Sequence, residues 1–282
     1  AYKKIWTGGG APLTAITKRL ATELEKKLQV PVRVAFRYGT PGFEEAFSEF
    51  ASLSISKVLF VPLFPHYALA TYESALRACR AARDRQAPAI SLSILKPFYK
   101  EQGYIEALAS RLKPSIKEGS QHILFSYHSV PLRHLRKADP TGKHCLRVPN
   151  CCEVPSRAHQ TCYNVHVRKT TELLAKRIGL PEDSYTICFQ SKFGPGAWLG
   201  PLIGNLCQEL PSKGKRSIVV ICPSFAADCL ETLLEVGMAC KRIFLRSGGE
   251  RFRVVPCLND HPQWIEVLSS WIKEEGSRFF TV

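Results

Sequence analysis

His122-Ile123-Leu124-Phe125-Ser126-Tyr127-His128-Ser129-Val130-Pro131 carries the clearest mark of the fold. Residues 123–127 form a short, nearly continuous apolar run, and a proline follows three positions after the histidine that closes it. That pattern predicts a strand buried on both faces rather than one lying half in water. Similar runs recur outward from it, at 32–36, 58–64 and 90–95 before it and at 185–189, 218–222, 242–245 and 251–256 after it. Segments of helical period separate most of them: 12–28, 72–82, 104–112, 170–178, 199–210, 227–238 and 262–273. Buried strands joined by amphipathic crossovers read as βαβ units, so the expected class is α/β with parallel sheets. The polar stretch 113–121, with Pro114, Gly119 and Ser120, divides the chain into two similar halves. In each half a strand ends in a proline-marked turn before a helix, at 58–65 and at 218–225. This hints at internal duplication, although any doubly wound protein shows such pairs.

The chain has 282 residues, 45% of them hydrophobic, enough to bury a substantial core. No run approaches the ~18 apolar residues of a spanning helix, and the start lacks an apolar export segment, so a soluble, cytoplasmic protein is expected. The first residue is Ala1 rather than Met, as in a fragment or a processed form. A formal charge of +15 favours anionic partners: nucleic acid, an anionic membrane surface or a carboxylate-bearing small molecule. The basic residues are spread through the chain and form no reader motif, which argues against nucleic acid. The 11 cysteines are odd in number in a large chain, and reduced thiols are the expectation. Cys188, Cys207, Cys222 and Cys240 sit singly in apolar stretches and read as small core residues.

In open α/β sheets ligands bind beyond the carboxyl ends of the strands, so chemistry is sought just after the apolar runs. His128 sits there, able to accept a proton near neutral pH or to ligate a metal, unless it is a structural histidine. Asp228, Glu231 and Glu235 follow the 218–223 strand at offsets of three and four, which places them on one helix face. Such a row is either solvated and favoured by the helix dipole or turned towards a cation. Cys145, Cys151, Cys152 and Cys162 crowd four thiols into eighteen residues, a soft donor set suited to zinc or an iron–sulfur cluster. Paired zinc knuckles are absent and Cys151-Cys152 are adjacent, which favours iron–sulfur; two disulfides are the minor alternative. Gly8-Gly9-Gly10-Ala11-Pro12 precedes a helix and matches neither the P-loop nor the dinucleotide spacing.

Across nearly the whole chain these pieces resemble the ferrochelatase family. In the family's order come Ile5-Trp6 with 8–13, Phe36-Arg37-Tyr38-Gly39-Thr40-Pro41, and Val61-Pro62-Leu63-Phe64-Pro65-His66-Tyr67. Then follow Ser126-Tyr127-His128-Ser129-Val130-Pro131, Asp139-Pro140, Phe189-Gln190-Ser191-Lys192-Phe193-Gly194-Pro195 and Trp198-Leu199-Gly200-Pro201. Asp228-Cys229-Leu230-Glu231-Thr232-Leu233 and Leu258-Asn259 complete the series. The resemblance implies two flavodoxin-like domains, 1–116 and 117–282, around a porphyrin cleft, with a cysteine-rich insertion at about 141–163 and a C-terminal helix packing back on the first half. It implies insertion of ferrous iron into protoporphyrin IX or coproporphyrin III, with His128 and Glu231 as the catalytic pair and Asp228 and Glu235 extending a carboxylate path for the metal. It implies a [2Fe-2S] cluster on Cys145, Cys151, Cys152 and Cys162. Arg37, Tyr38, Tyr67, Lys192 and Trp198 are the candidates to face the porphyrin, and the basic surface the candidate to meet anionic lipid on the inner face of the membrane.

Two departures stand out: the family's first strand and its following lip are not found before Ala1, and Phe64-Pro65-His66-Tyr67-Ala68-Leu69-Ala70-Thr71 lacks hydroxyls that many members carry. Competing readings are a chelatase for another metal or tetrapyrrole, and a non-catalytic tetrapyrrole or iron–sulfur sensor.

Overall fold

A computed structural model describes residues 5, 6, 8, 10–116 and 121–280. Gly9 of the glycine run and 117–120 of the polar stretch therefore lie outside the described residues. In chain order the elements are α1 (Pro12–Leu28), α2 (Phe43–Ser52), β1 (Lys57–Phe60), α3 (Ser74–Gln86), β2 (Ser91–Ile94), α4 (Gln102–Leu112), β3 (His122–His128) and α5 (Leu132–Ala138). They continue with α6 (Tyr163–Ile178), β4 (Tyr185–Gln190), α7 (Ile203–Glu209), β5 (Ser217–Ile221), α8 (Lys241–Arg246), β6 (Arg251–Val254) and α9 (Pro262–Phe280). A π-helical turn, Leu69–Glu73, leads into α3, and a longer π-helix, Glu231–Cys240, leads into α8.

The strands form two parallel sheets, one of order β1-β2 and one of order β4-β3-β5-β6. β3 lies inside the larger sheet, paired from Ile123 to His128 with β4 and from His122 to Phe125 with β5. Every residue of β3 except His128 is buried, which is why its sequence reads as one apolar run. In α1, Pro12 takes the first-turn position that needs no N–H, and Ile16, Leu20 and Leu24 recur every four residues to bury one stripe. The helix stops where Gln29 turns left-handed, at φ 57°.

Two of the expected strands differ. Residues 32–36 are extended but belong to no strand among the described residues, and the Phe36 N–H is instead taken by the Pro41 carbonyl at 2.8 Å. Residues 242–245 are helical, within α8, with the Phe244 ring fully buried 5.7 Å from Phe252. A short apolar run reads alike for a buried strand and a buried helical turn, and here the preceding π-helix carries the chain on as helix.

An aromatic group of Phe98, Tyr104, Trp264 and Trp271, with ring centroids 5.2–6.1 Å apart, locks α9 against α4 and the turn before it. α9 also meets α1, where Lys27 pairs with Glu266, and Arg19 of α1 pairs at 2.6 Å with Asp260 just before α9. Tyr104 of α4 donates its hydroxyl to the Pro223 carbonyl, just beyond β5. These contacts dock α1, α4 and α9 on one another and tie α4 to the turn after β5.

Candidate active site

Because β3, β4 and β5 are parallel, their carboxyl ends share one edge, and the loops that leave them build the site. His128 is the last residue of β3 and is half-buried. Its Nδ1 lies 2.6 Å from the Ser129 carbonyl oxygen. A carbonyl only accepts, so Nδ1 carries the proton and Nε2 keeps a lone pair free to act as base or ligand. The backbone of the same residue is fixed on both sides: its N–H donates to Ser224 Oγ at 3.1 Å, and its carbonyl accepts from the Tyr163 hydroxyl at 2.9 Å. The loop after β4 is stitched alongside, since Leu199 N–H reaches the Val130 carbonyl at 3.0 Å, Leu132 N–H reaches Ala197 at 2.9 Å, and Trp198 bridges Pro131. Trp198 is thereby held next to the His128 turn, while Lys192 is exposed and Phe193 stands 87% exposed at the loop's tip.

The carboxylates do not form the uniform helical row expected of offsets three and four. Asp228 precedes the helix and is buried, with its carboxylate accepting from Thr232 Oγ1 at 2.9 Å, Asn259 Nδ2 at 2.7 Å and the Cys257 N–H at 3.3 Å. Such short polar side chains satisfy donors at a helix start more readily than they continue the helix. Glu231 opens the π-helix, in which N–H groups bond five residues back, so Glu235 lies nearly one turn on. Glu235 is engaged by Ser191, whose N–H donates at 2.7 Å and whose hydroxyl also donates to it. Ser191 itself adopts φ 62°, in the left-handed region, as the chain leaves β4. The Cys229 thiol lies near enough to Glu231 to respond to its charge. Burial, reinforced by the charge of Glu231, pushes the Cys229 thiol up to about 12, so at neutral pH it remains an S–H donor.

Of the candidates in the first part of the chain, Arg37 is exposed, donates to Ser74 Oγ at 2.9 Å and lies 4.6 Å over the ring of Tyr38, itself 76% exposed. Tyr67 is half-buried, donates to Glu73 at 3.3 Å and has its phenol pushed up to about 12 by burial first and by Glu73 second. Its backbone N–H donates to His166 Nδ1 at 3.2 Å, which joins the turn after β1 to α6. His66, in the stretch that departs from the family pattern, is a core residue. It is 3% exposed between the rings of Tyr127 and Tyr163, at 5.4 and 5.8 Å, with Nε2 3.0 Å from Thr170 Oγ1.

The four cysteines of the insertion lie together. Cys145 and Cys162 are buried in one small cluster with Ala158, and Cys152 lies beside Cys162. Two sulfurs receive N–H donors, Cys151 from Leu146 N at 3.4 Å and Cys152 from Asn164 Nδ2 at 3.2 Å. His144 and His159 both donate to the Cys151 carbonyl, at 2.7 and 2.8 Å. Asp139 ties the start of the insertion, accepting from the N–H groups of Thr141, His144 and Cys145 and from the Thr141 hydroxyl at 2.7–2.9 Å. Among the described residues no three His, Cys, Asp or Glu side chains are disposed to hold one metal ion. That is the requirement of a mononuclear site; in a [2Fe–2S] cluster two thiolates bind each iron. Four clustered thiols with N–H donors aimed at two of them are a donor set that fits such a cluster.

Ser224, Tyr163 and His166 are absent from the sequence-based candidates although each touches His128 or the Tyr67 turn. The one signal for the last two was their position, immediately after Cys162 at a helical spacing of three.

Parallel sheets with a histidine closing a central strand define an α/β protein with its candidate site at the carboxyl edge, and solved structures share this fold. SirB from Bacillus subtilis with Fe3+ superposes with a TM-score of 0.64 at 13% identity, over 93% of this chain and 89% of that one. The sirohydrochlorin chelatase SirB of Bacillus subtilis subspecies spizizenii, in complex with cobalt, does so with 0.58 at 14%, over 94% and 91%. The sequence places the chain more narrowly. The Ferrochelatase family model matches residues 1–276, and the ferrochelatase of Opitutus terrae is 38% identical over 275 residues, 97% of this chain and 80% of its own. The chain belongs to the ferrochelatase family.

Proposed function

We propose that this protein inserts ferrous iron into a porphyrin, protoporphyrin IX or coproporphyrin III, to form haem, within two halves divided as 1–116 and 117–282. The observation that supports the reading is the Nε2 lone pair of His128, left free at the end of β3, with Glu235 of the π-helix drawn to the end of neighbouring β4 by Ser191. Two pyrrole N–H protons must leave as the metal enters, and a base with a free lone pair near neutral pH suits their removal. His128 takes these protons or holds the iron on one side of the ring, while Glu231 works on the other. Asp228 anchors the start of this helix and, with Glu235, extends the carboxylate path by which the divalent substrate, a cation suited to oxygen donors, reaches Glu231. Tyr67 and Trp198 pack on the macrocycle, and Arg37, Tyr38 and Lys192 meet its carboxylates.

Cys145, Cys151, Cys152 and Cys162 hold a [2Fe-2S] cluster. When bound, the cluster supplies covalent cross-links among the four positions and a one-electron centre, and metallation itself consumes no electron. The protein works on the cytoplasmic side, and its basic surface docks on anionic lipid.

Anaerobic iron insertion, followed as loss of free-base porphyrin fluorescence, tests the first reading: Glu231→Gln is expected to lower the rate at least about a hundredfold, the range lost with a proton-transfer group. Turnover equal to the parent would remove Glu231 from the mechanism. A thiolate-to-iron absorption band lost in Cys152→Ser tests the second, and a parent protein with no such band would overturn it.

A further inference from the structure

The first turn of α6 touches the cysteine site and the metallation site at once. Cys162 is the residue before the helix, and the next residue, Tyr163, donates its hydroxyl to the His128 carbonyl at 2.9 Å. Asn164 donates to Cys152 Sγ at 3.2 Å. His166, one turn from Tyr163, accepts the Tyr67 N–H on Nδ1 at 3.2 Å and lies with Nε2 3.1 Å from the His159 carbonyl. An amide only donates and a carbonyl only accepts, so the tautomer of His166 is set with the proton on Nε2. His159 in turn donates from its own ring to the Cys151 carbonyl at 2.8 Å. The His166 ring is stacked flat on Tyr99, centroids 3.7 Å apart and planes 6° from parallel, and burial holds it neutral by pushing its pKa down to about 4. An unbroken set of donors and acceptors therefore runs from the carbonyl between Cys151 and Cys152 to the backbone of the Tyr67 turn. A second link runs from Cys162, through its neighbour, to the backbone of His128.

We propose that Tyr163 and His166 are positioning residues that couple the thiol site to the metallation site, so that filling the four cysteines tightens the Tyr67 turn for porphyrin and fixes His128 for proton transfer. The proposal rests on the cluster and on the role of His128 as read above. Its physical basis is that iron–sulfur bonds pin 145–162 more firmly than the hydrogen bonds that otherwise hold this insertion, and the first turn of α6 inherits that restraint. The two links predict different effects. His166 acts on binding, through Tyr67, and Tyr163 acts on the chemical step, through His128.

Porphyrin binding without iron, measured by fluorescence titration beside the visible spectrum of each protein, separates the possibilities. Losing one hydrogen bond of the relay is expected to weaken porphyrin about threefold to tenfold in His166→Gln, which keeps the Nε2 donor and loses the acceptor for Tyr67. Cys152→Ser, or the parent stripped of its cluster by a chelator if that variant does not fold, is expected to weaken it similarly. The double variant is expected to be no weaker than either single one, because the relay is already cut. His166→Asn keeps the acceptor and should retain more affinity than His166→Gln. Tyr163→Phe is expected to lower kcat with the porphyrin KM unchanged.

Additive losses in the cycle, or unchanged porphyrin affinity after cluster removal, would overturn the coupling while leaving the cluster in place. A parent with no thiolate-to-iron band would overturn the cluster reading and the coupling with it, and the two failures are told apart by the spectrum.

Discussion

At the scale of single residues, a hydrogen bond decides what each ionisable group is free to do. His128 has two ring nitrogens that are equivalent on paper; the Ser129 carbonyl claims one and leaves the other for chemistry. Asp139 shows the opposite case, a carboxylate wholly given to structure. Burial works against its ionisation, but the donors of Cys145, Thr141 and His144 outweigh burial and hold the carboxyl well below its ordinary range. A depressed folded pKa contributes stability that is complete above the unfolded value near 4 and is lost as pH falls towards the folded value. Asp139→Asn is therefore expected to destabilise the protein by about 1–3 kcal/mol at pH 7, since an amide cannot accept from all these donors. The gap between variant and parent should narrow as the pH drops below about 4, which denaturant melts at several pH values would measure. His128 and the cysteines were legible from residue type and position. The bound state of Asp228 was not, because Cys257 and Asn259 reach it from 29 and 31 residues away.

At the scale of elements, the helix that carries Glu231 starts from a tied carboxylate and winds as a π-helix, so α-helical periodicity mapped its acidic positions only approximately. Short apolar runs were read well where neighbouring strands lay in line, as for β3, and misread at 242–245, where the chain was already helical. The packing of α4 on α9 turns on a glycine that no periodicity marks. A Cβ at Gly103 would come within 2.8 Å of Val267 Cγ1 and 3.6 Å of Trp271, closer than the valine can yield without moving its helix. Gly103→Ala is expected to cost about 1–3 kcal/mol through this overpacking, even though alanine favours a helix, and thermal unfolding would show it. A variant as stable as the parent would mean that α9 shifts freely, contrary to its aromatic contacts with Phe98 and Tyr104.

At the scale of the whole molecule, charge and shape act together. No helix among the described residues is long and apolar enough to cross a membrane, and the chain carries a net +15. If the basic surface docks on anionic lipid, the protein should sediment with vesicles containing phosphatidylserine at low salt and be released as salt rises, because screening shortens the reach of surface charge. Binding that ignored salt would count against an electrostatic contact.

The α/β class, the parallel strands and the grouping of four cysteines were legible from sequence alone. Each of these depends on residue type within a short window, and burial on both faces leaves a direct mark in composition. Which nitrogen of His128 is free, which carboxylates are already occupied, and how α6 links Cys152 to the Tyr67 turn emerged with the folded chain. Those features depend on hydrogen bonds between residues far apart in the chain, whose partners no local pattern can name.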